Sequence, residues 1–254
     1  MWIDTHAHLY DYEPNSLNRI VEEACDASVE IILSTATDIV TAIKVTEQCQ
    51  SSDHIYGAVG ISPFDVTSQN SDWLSSLKCL LRKPRIIAIG EIGLDSTNPR
   101  YPPLNKQIPF FEAQLDLATK LNLPAVVHSR GSEKNVVEIC RSIGIERVLF
   151  HCFTGSFDDM QAIIDAGYYL SFSGIITFKN AKIRELIPSV PIERVLIETD
   201  SPYLAPVPYR GKKNRPALLK YTAAELSELL NLESEKLQIQ LEKNFNSLFF
   251  NGSL

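Results

Sequence analysis

The feature that most constrains this chain is an alternation of short apolar runs with longer amphipathic ones. Apolar runs rich in Ile, Val and Leu fall at residues 2–8, 30–35, 55–60, 86–92, 124–128, 147–151, 168–174 and 194–200. Their length and composition suit strands buried on both faces of a parallel sheet. Helical patterns lie between them, at 16–28, 39–50, 72–82, 106–121, 133–143, 158–166 and 181–187. In the fourth, Phe111, Leu115, Ala118 and Leu121 recur at helical spacing. Ser156, followed by Asp158 and Asp159, reads as a cap with an acidic first turn.

Strand–helix alternation throughout means βαβ units. Eight such units in 254 residues favour a closed α/β (β/α)8 TIM barrel over an open sheet. Two further helical patterns follow, at 218–230 and 234–249. The first is expected to complete the eighth unit and the second to pack outside the barrel. No repeat or linker interrupts the chain, so residues 1–254 read as one domain.

Hydrophobic residues make up 44% and charged residues 22%, as in soluble globular proteins. The net charge of −7 argues against a broad basic face that grips duplex nucleic acid. It leaves room for a nucleic-acid substrate at a site where bound cations supply the positive charge. The five cysteines are scattered and form no C-x-x-C, which points to a reducing compartment, the cytoplasm. No run of about 18 apolar residues is present, so no membrane span is expected. Residues 1–8 already read as a strand, so no leader is expected there.

Chemistry gathers at the strand ends. In His6-Ala7-His8 the two imidazoles share a strand face and suit chelation of a divalent metal. A lone pair of this kind is equally often incidental, but here it has company. His128 and His151 end two other apolar runs, Asp200 ends a third, and Glu91 lies in a fourth. The C-terminal ends of barrel strands are where catalytic groups belong, and burying these groups together without a cation would be costly. The fifth histidine, His54, precedes its strand and reads as a surface or supporting residue.

Other residues near the strand ends divide by role. Arg130 follows His128 by two residues and reads either as a phosphate contact or as a loop salt bridge. The segment 208–216 is locally basic, and its Arg210, Lys212 and Asn214 are expected to meet substrate phosphate rather than only solvent. Cys152 is expected to pack rather than to attack. Glu198, one layer below Asp200, is expected to orient a histidine.

Five motifs resemble those of the TatD family of the amidohydrolase superfamily, in order along nearly the whole chain. They are Asp4-Thr5-His6-Ala7-His8-Leu9, Gly90-Glu91-Ile92-Gly93-Leu94-Asp95, His128-Ser129-Arg130, His151-Cys152-Phe153-Thr154-Gly155-Ser156 and Glu198-Thr199-Asp200-Ser201-Pro202-Tyr203-Leu204. The basic loop also resembles that family's P-x-R-G-x-x-N-x-P segment. The resemblance implies a metal-dependent deoxyribonuclease with two divalent ions. It implies one ion on His6, His8, Glu91 and Asp200, and a second on Glu91, His128 and His151, bridged by Glu91. It further implies 3′ to 5′ exonuclease action on DNA. Asp200 is then a candidate general base, and the metals are Mg²⁺, Mn²⁺ or Zn²⁺. Ester or amide hydrolysis, D-aminoacyl-tRNA deacylation and a catalytically silent metal scaffold are the alternatives.

The chain departs from the family pattern at three loop positions. Ser62 stands where a histidine is usual, Ser96 where a tyrosine is usual, and Gly131 where an acidic residue is usual. None of these removes a proposed metal ligand. All three are expected to alter the substrate pocket.

Overall fold

The computed structural model describes residues 1–252, so the last two residues of the expected 1–254 domain lie outside the described residues. Eight parallel strands form one sheet in sequence order. They are β1 (Trp2–Ala7), β2 (Val29–Thr35), β3 (Ile55–Val59), β4 (Ile86–Asp95), β5 (Ala125–Arg130), β6 (Val148–Phe150), β7 (Tyr169–Phe172) and β8 (Val195–Ile197). The helices are α1 (Leu17–Asp26), α2 (Ile39–Ser51), α3 (Trp73–Leu80), α4 (Leu104–Leu121), α5 (Glu133–Ile143), α6 (Phe157–Asp165), α7 (Leu219–Leu229) and α8 (Ser234–Phe250). Each apolar run became a strand, and the architecture is the expected (β/α)8 barrel. No helix among the described residues is long and apolar enough to cross a membrane.

The first and last strands meet at the C-terminal end. Ala7 bridges Ser201, Asp200 N donates to His6 O at 2.9 Å, and His8 N donates to Ser201 O at 2.7 Å. Backbone bonds that complete the ring therefore also tie His6 to Asp200 and His8 to the next residue, Ser201.

Two of the register shifts, one on β1 and one on β4, decide which side chains face inward at the metal-binding end. Asp4 and Ala7 on β1 pair with Ile32 and Ser34 on β2, so three steps oppose two. Ile89 and Ile92 on β4 likewise pair with Ala125 and Val127 on β5. Ile3 and Ala88 belong to the cluster inside the barrel. Strict alternation from them would turn His6, His8 and Glu91 outward. The bulges reverse the phase and bring all three inside.

Two expectations need correction. The segment 181–187 was expected to be a helix, but it forms 3-10 turns at Lys182–Glu185 and Ile187–Ser189. Pro188 lacks the N–H that a continuing α-helix needs. The final helix does more than pack outside. Phe245, Leu248 and Phe249 of α8 join Ile3, Leu33, Val126 and Leu196 in the interior cluster, so α8 plugs the barrel at the end opposite the strand C-termini. Asn244 Nδ2 fastens it by donating to Ile192 O and Val195 O, both at 2.7 Å.

Candidate metal centre

His6 and His8 lie at the end of β1, His128 on β5, His151 just after β6, Asp200 just after β8, and Glu91 on the bulged part of β4. The side chains converge. His6 Nε2 lies 3.2 Å from His8 Nε2. Glu91 Oε2 lies 3.6 Å from His6 Nε2 and 3.7 Å from His8 Nε2. Glu91 Oε1 faces the other way, 2.9 Å from His128 Nδ1 and 3.4 Å from His151 Nε2. Asp200 Oδ1 is 3.3 Å from His8 Nε2 and 3.8 Å from His6 Nε2.

Three overlapping groups have ligand atoms close enough to hold a metal ion: His6, His8 and Glu91; Glu91, His128 and His151; and His6, His151 and Asp200. The donor set fits divalent cations. Imidazole nitrogens and carboxylate oxygens face one another across a few ångströms at a buried strand end.

Three of the four histidines are oriented from behind, while the buried Nδ1 of His6 has no hydrogen-bond partner among the described residues. Glu198 Oε1 lies 3.3 Å from His151 Nδ1, and Glu198 Oε2 accepts from Ser171 Oγ at 2.6 Å. Asp95 Oδ2 lies 3.2 Å from His128 Nε2. Thr35 O and Tyr10 Oη both lie 3.0 Å from His8 Nδ1. Glu198 thus meets the expectation set for it. Asp95 and Tyr10 were not singled out as site residues. Asp95 was hidden because β4 runs three residues beyond its expected end at 92. The buried amide of Gln107 fixes it there, accepting from Asp95 N at 2.8 Å and donating to Asp95 O at 2.9 Å.

The charges compensate one another. Burial alone would raise the Glu91 carboxyl, but His151, His128 and His6 hold it well below its usual range. Burial would also raise Asp200, and His8 outweighs it, so Asp200 stays ionised. Burial would lower His151, yet Glu91 and Glu198 hold it well above 6.5. His6 is lowered, chiefly by burial and then by His151. In the metal-free centre, imidazolium charge offsets the carboxylates, and a cation would take over that role.

The centre opens into a cavity of about 440 Å³. Arg130 lines it, and its guanidinium donates to Ser129 O and Cys152 O, both at 2.8 Å. Cys152 is buried, and burial pushes its thiol up to about 11, which suits packing rather than attack. Ser62 also lines the cavity and donates to Asp65 Oδ2 at 2.9 Å. His54 lies at the opposite end of β3, bonded to Glu30 O at 2.8 Å.

The basic loop is only partly as expected. Arg210 and Lys212 are exposed and do not line this cavity, and Arg210 stacks over Phe178 at 4.5 Å. Asn214 needs correction as a substrate contact. It is buried, its Nδ2 donates to Thr199 O, and its Oδ1 accepts from Arg215 N, each at 2.8 Å. With both ends engaged by backbone, it latches the loop to the end of β8.

A (β/α)8 barrel with clustered histidines and carboxylates at the strand C-termini defines the class of metal-dependent barrel hydrolases. Residues 3–250 match the family model described as TatD related DNase. The uncharacterized metal-dependent hydrolase YabD of Bacillus subtilis (strain 168) is 37% identical over 257 residues, covering 98% of this chain and 99% of its own. The 3′-5′ ssDNA/RNA exonuclease TatD of Klebsiella pneumoniae (strain 342) is 29% identical and covers 91% of each chain. The crystal structure of YJJV, a TatD homolog from Escherichia coli K12, superposes with a TM-score of 0.91 at 28% identity, covering 98% of this chain and 97% of that one. The chain belongs to the TatD family and is a metal-dependent hydrolase.

Proposed function

We propose that this protein, acting as a single domain over residues 1–254, is a deoxyribonuclease that removes nucleotides 3′ to 5′ from single-stranded or frayed DNA ends. The observation that carries the reading is the division of Glu91, whose Oε2 faces His6 and His8 while Oε1 faces His128 and His151. In this reading one divalent cation rests on His6, His8, Glu91 and Asp200, and a second on Glu91, His128 and His151. Mg²⁺, Mn²⁺ and Zn²⁺ all suit these donors. When bound, such ions supply Lewis acidity toward a phosphodiester and acidify the attacking water.

The protein's own groups do the rest. Asp200 stays ionised beside His8 and accepts the proton of the attacking water. Arg130 presents its guanidinium to a non-bridging phosphate oxygen. Exposed Phe64 and Tyr203 rim the cavity and offer faces on which bases stack. Arg210 and Lys212, further out in the loop after β8, attract the strand's remaining phosphates. A recessed centre admits one strand more readily than an intact duplex, and the Klebsiella relative's name agrees with both strand and polarity.

The test is release of nucleotides from 3′- and 5′-labelled single-stranded oligonucleotides with each metal. Metal-dependent loss of the 3′ label first is expected, and Asp200→Asn is expected to slow it by at least about 100-fold. Absence of metal-dependent cleavage, or full activity in Asp200→Asn, refutes the proposal.

A further inference from the structure

Beside the metal cavity lies a second one of about 550 Å³, walled by the loops after β4, β5 and β6 and by the turn at Lys182–Glu185. The two cavities share one side chain, Arg130. Resting on the nuclease reading above, we propose that this second cavity is a nucleotide subsite. It takes the nucleoside next to the scissile phosphate, with that phosphate at Arg130 and the base on Phe157.

Arg130 is built for such a place. Of the five N–H donors in a guanidinium, two are held by the Ser129 and Cys152 carbonyls. Among the described residues no carboxylate forms an ion pair with it. A positioned cation with donors to spare, standing between two cavities, matches a phosphate that links two nucleosides. Gly131 puts no side chain, and hence no carboxylate, beside it. Its backbone is left-handed (φ 61°), and a Cβ there would come 2.7 Å from Thr97 Cγ2 and 2.8 Å from Ser96 Oγ. Ser96 Oγ donates to Gly131 O at 2.9 Å, which ties the loop after β4 to the loop after β5 beside this cavity.

Phe157 supplies the stacking face. Among the described residues three aromatic rings are strongly exposed: Phe64 at 52%, Phe157 at 50% and Tyr203 at 53%. All three follow strand C-termini, two at the metal cavity and Phe157 at its neighbour. Stacking on such rings is how single strands are held without regard to sequence. Lys182 lines the second cavity as well, but the acidic residues Glu133, Asp159 and Glu185 outnumber it there. Their carboxylates disfavour a second phosphate inside the cavity but accept hydrogen bonds from base N–H groups. The charge balance therefore assigns base and sugar to the cavity and leaves the phosphate at its entrance.

The test compares wild type, Phe157→Ala and Phe157→Trp on three substrates. These are a single-stranded oligonucleotide, the same oligonucleotide with an abasic residue next to the terminal nucleotide, and bis(p-nitrophenyl) phosphate, which has no base. Anisotropy of a fluorescent trinucleotide with chelated protein gives binding apart from turnover. Phe157→Ala is expected to raise KM and weaken trinucleotide binding by about 5- to 100-fold, with Phe157→Trp near wild type. The abasic substrate is expected to show the same loss in wild type and no further loss in Phe157→Ala. If wild type degrades the oligonucleotide and Phe157→Ala binds and cleaves it equally well, the subsite is refuted and the nuclease reading stands. If wild type hydrolyses only the small diester, the nuclease reading fails and the subsite falls with it.

Discussion

Glu198 sits beneath His151 and meets its Nδ1 at 3.3 Å. The carboxylate fixes which ring nitrogen points at Glu91 and makes that nitrogen a better donor to a cation. Glu198→Gln keeps the volume and the contact to Ser171 but removes the charge. Metal affinity is expected to fall about 10- to 100-fold, with the circular dichroism spectrum unchanged. Isothermal titration with Mn²⁺ or Zn²⁺ measures it, and an unchanged affinity would remove Glu198 from any role at the metal.

Chelation should alter how stability depends on pH. Burial opposes charge on His151, but Glu91 and Glu198 outweigh it and raise its folded value above the 6.5 of the unfolded chain. That stabilisation is complete below pH 6.5 and is lost as pH rises through the folded value. Glu91 and Asp200 are depressed, so their contribution is present above unfolded values of 4.5 and 3.8 and is lost as pH falls through the folded ones. Metal-free protein is therefore expected to be most stable between those limits and to lose Tm above pH 6.5. Added metal needs neutral imidazole and binds tighter as pH rises, so it should offset that loss. Parallel Tm curves with and without chelator, recorded by calorimetry, would contradict this.

Gly93 lies where β4 crowds the backbone of His128. Its φ is 139°, and a Cβ would fall 1.9 Å from His128 O. Only glycine suits both the dihedral and the approach. Gly93→Ala is expected to cost at least about 2 kcal/mol, seen as a Tm lower by roughly 4–8 °C. Metal affinity should fall with it, because His128 must move. A variant as stable as wild type would mean that the strands part without cost.

Phe245 tests the plug. It is fully buried in the barrel interior, far from the strand C-termini. Phe245→Ala is expected to cost about 3–5 kcal/mol, measured by denaturant unfolding. The molecules that remain folded should still bind metal with wild-type stoichiometry. Little change in stability would show that α8 is dispensable to the interior.

The barrel was legible because its signals are local. Each strand is a short apolar run, and a histidine or carboxylate just past such a run marks the C-terminal face without any knowledge of neighbours. The inward phase of His6, His8 and Glu91 was not legible from alternation. It depends on bulges that exist only in the pairing of β1 with β2 and of β4 with β5. Asp95 was missed for a similar reason, since pairing with β5 and the clasp of Gln107 extend β4 past its apolar residues. Asn214 looked like a substrate ligand because it lies among Arg210, Lys212 and Lys213. Its burial is a tertiary fact, set by the carbonyl of Thr199.

The plug by α8 also bears on how the chain is made. Ile3, Leu33 and Ala58 leave the ribosome early, but the aromatic residues that seal them from water belong to the segment Ser234–Phe250. Until that segment emerges, all eight strands can pair while one end of their shared interior stays wet. A chain that ends after β8 would leave that apolar surface exposed, the kind of surface that chaperones bind. Completion of the fold waits on a helix that contributes nothing to the chemistry.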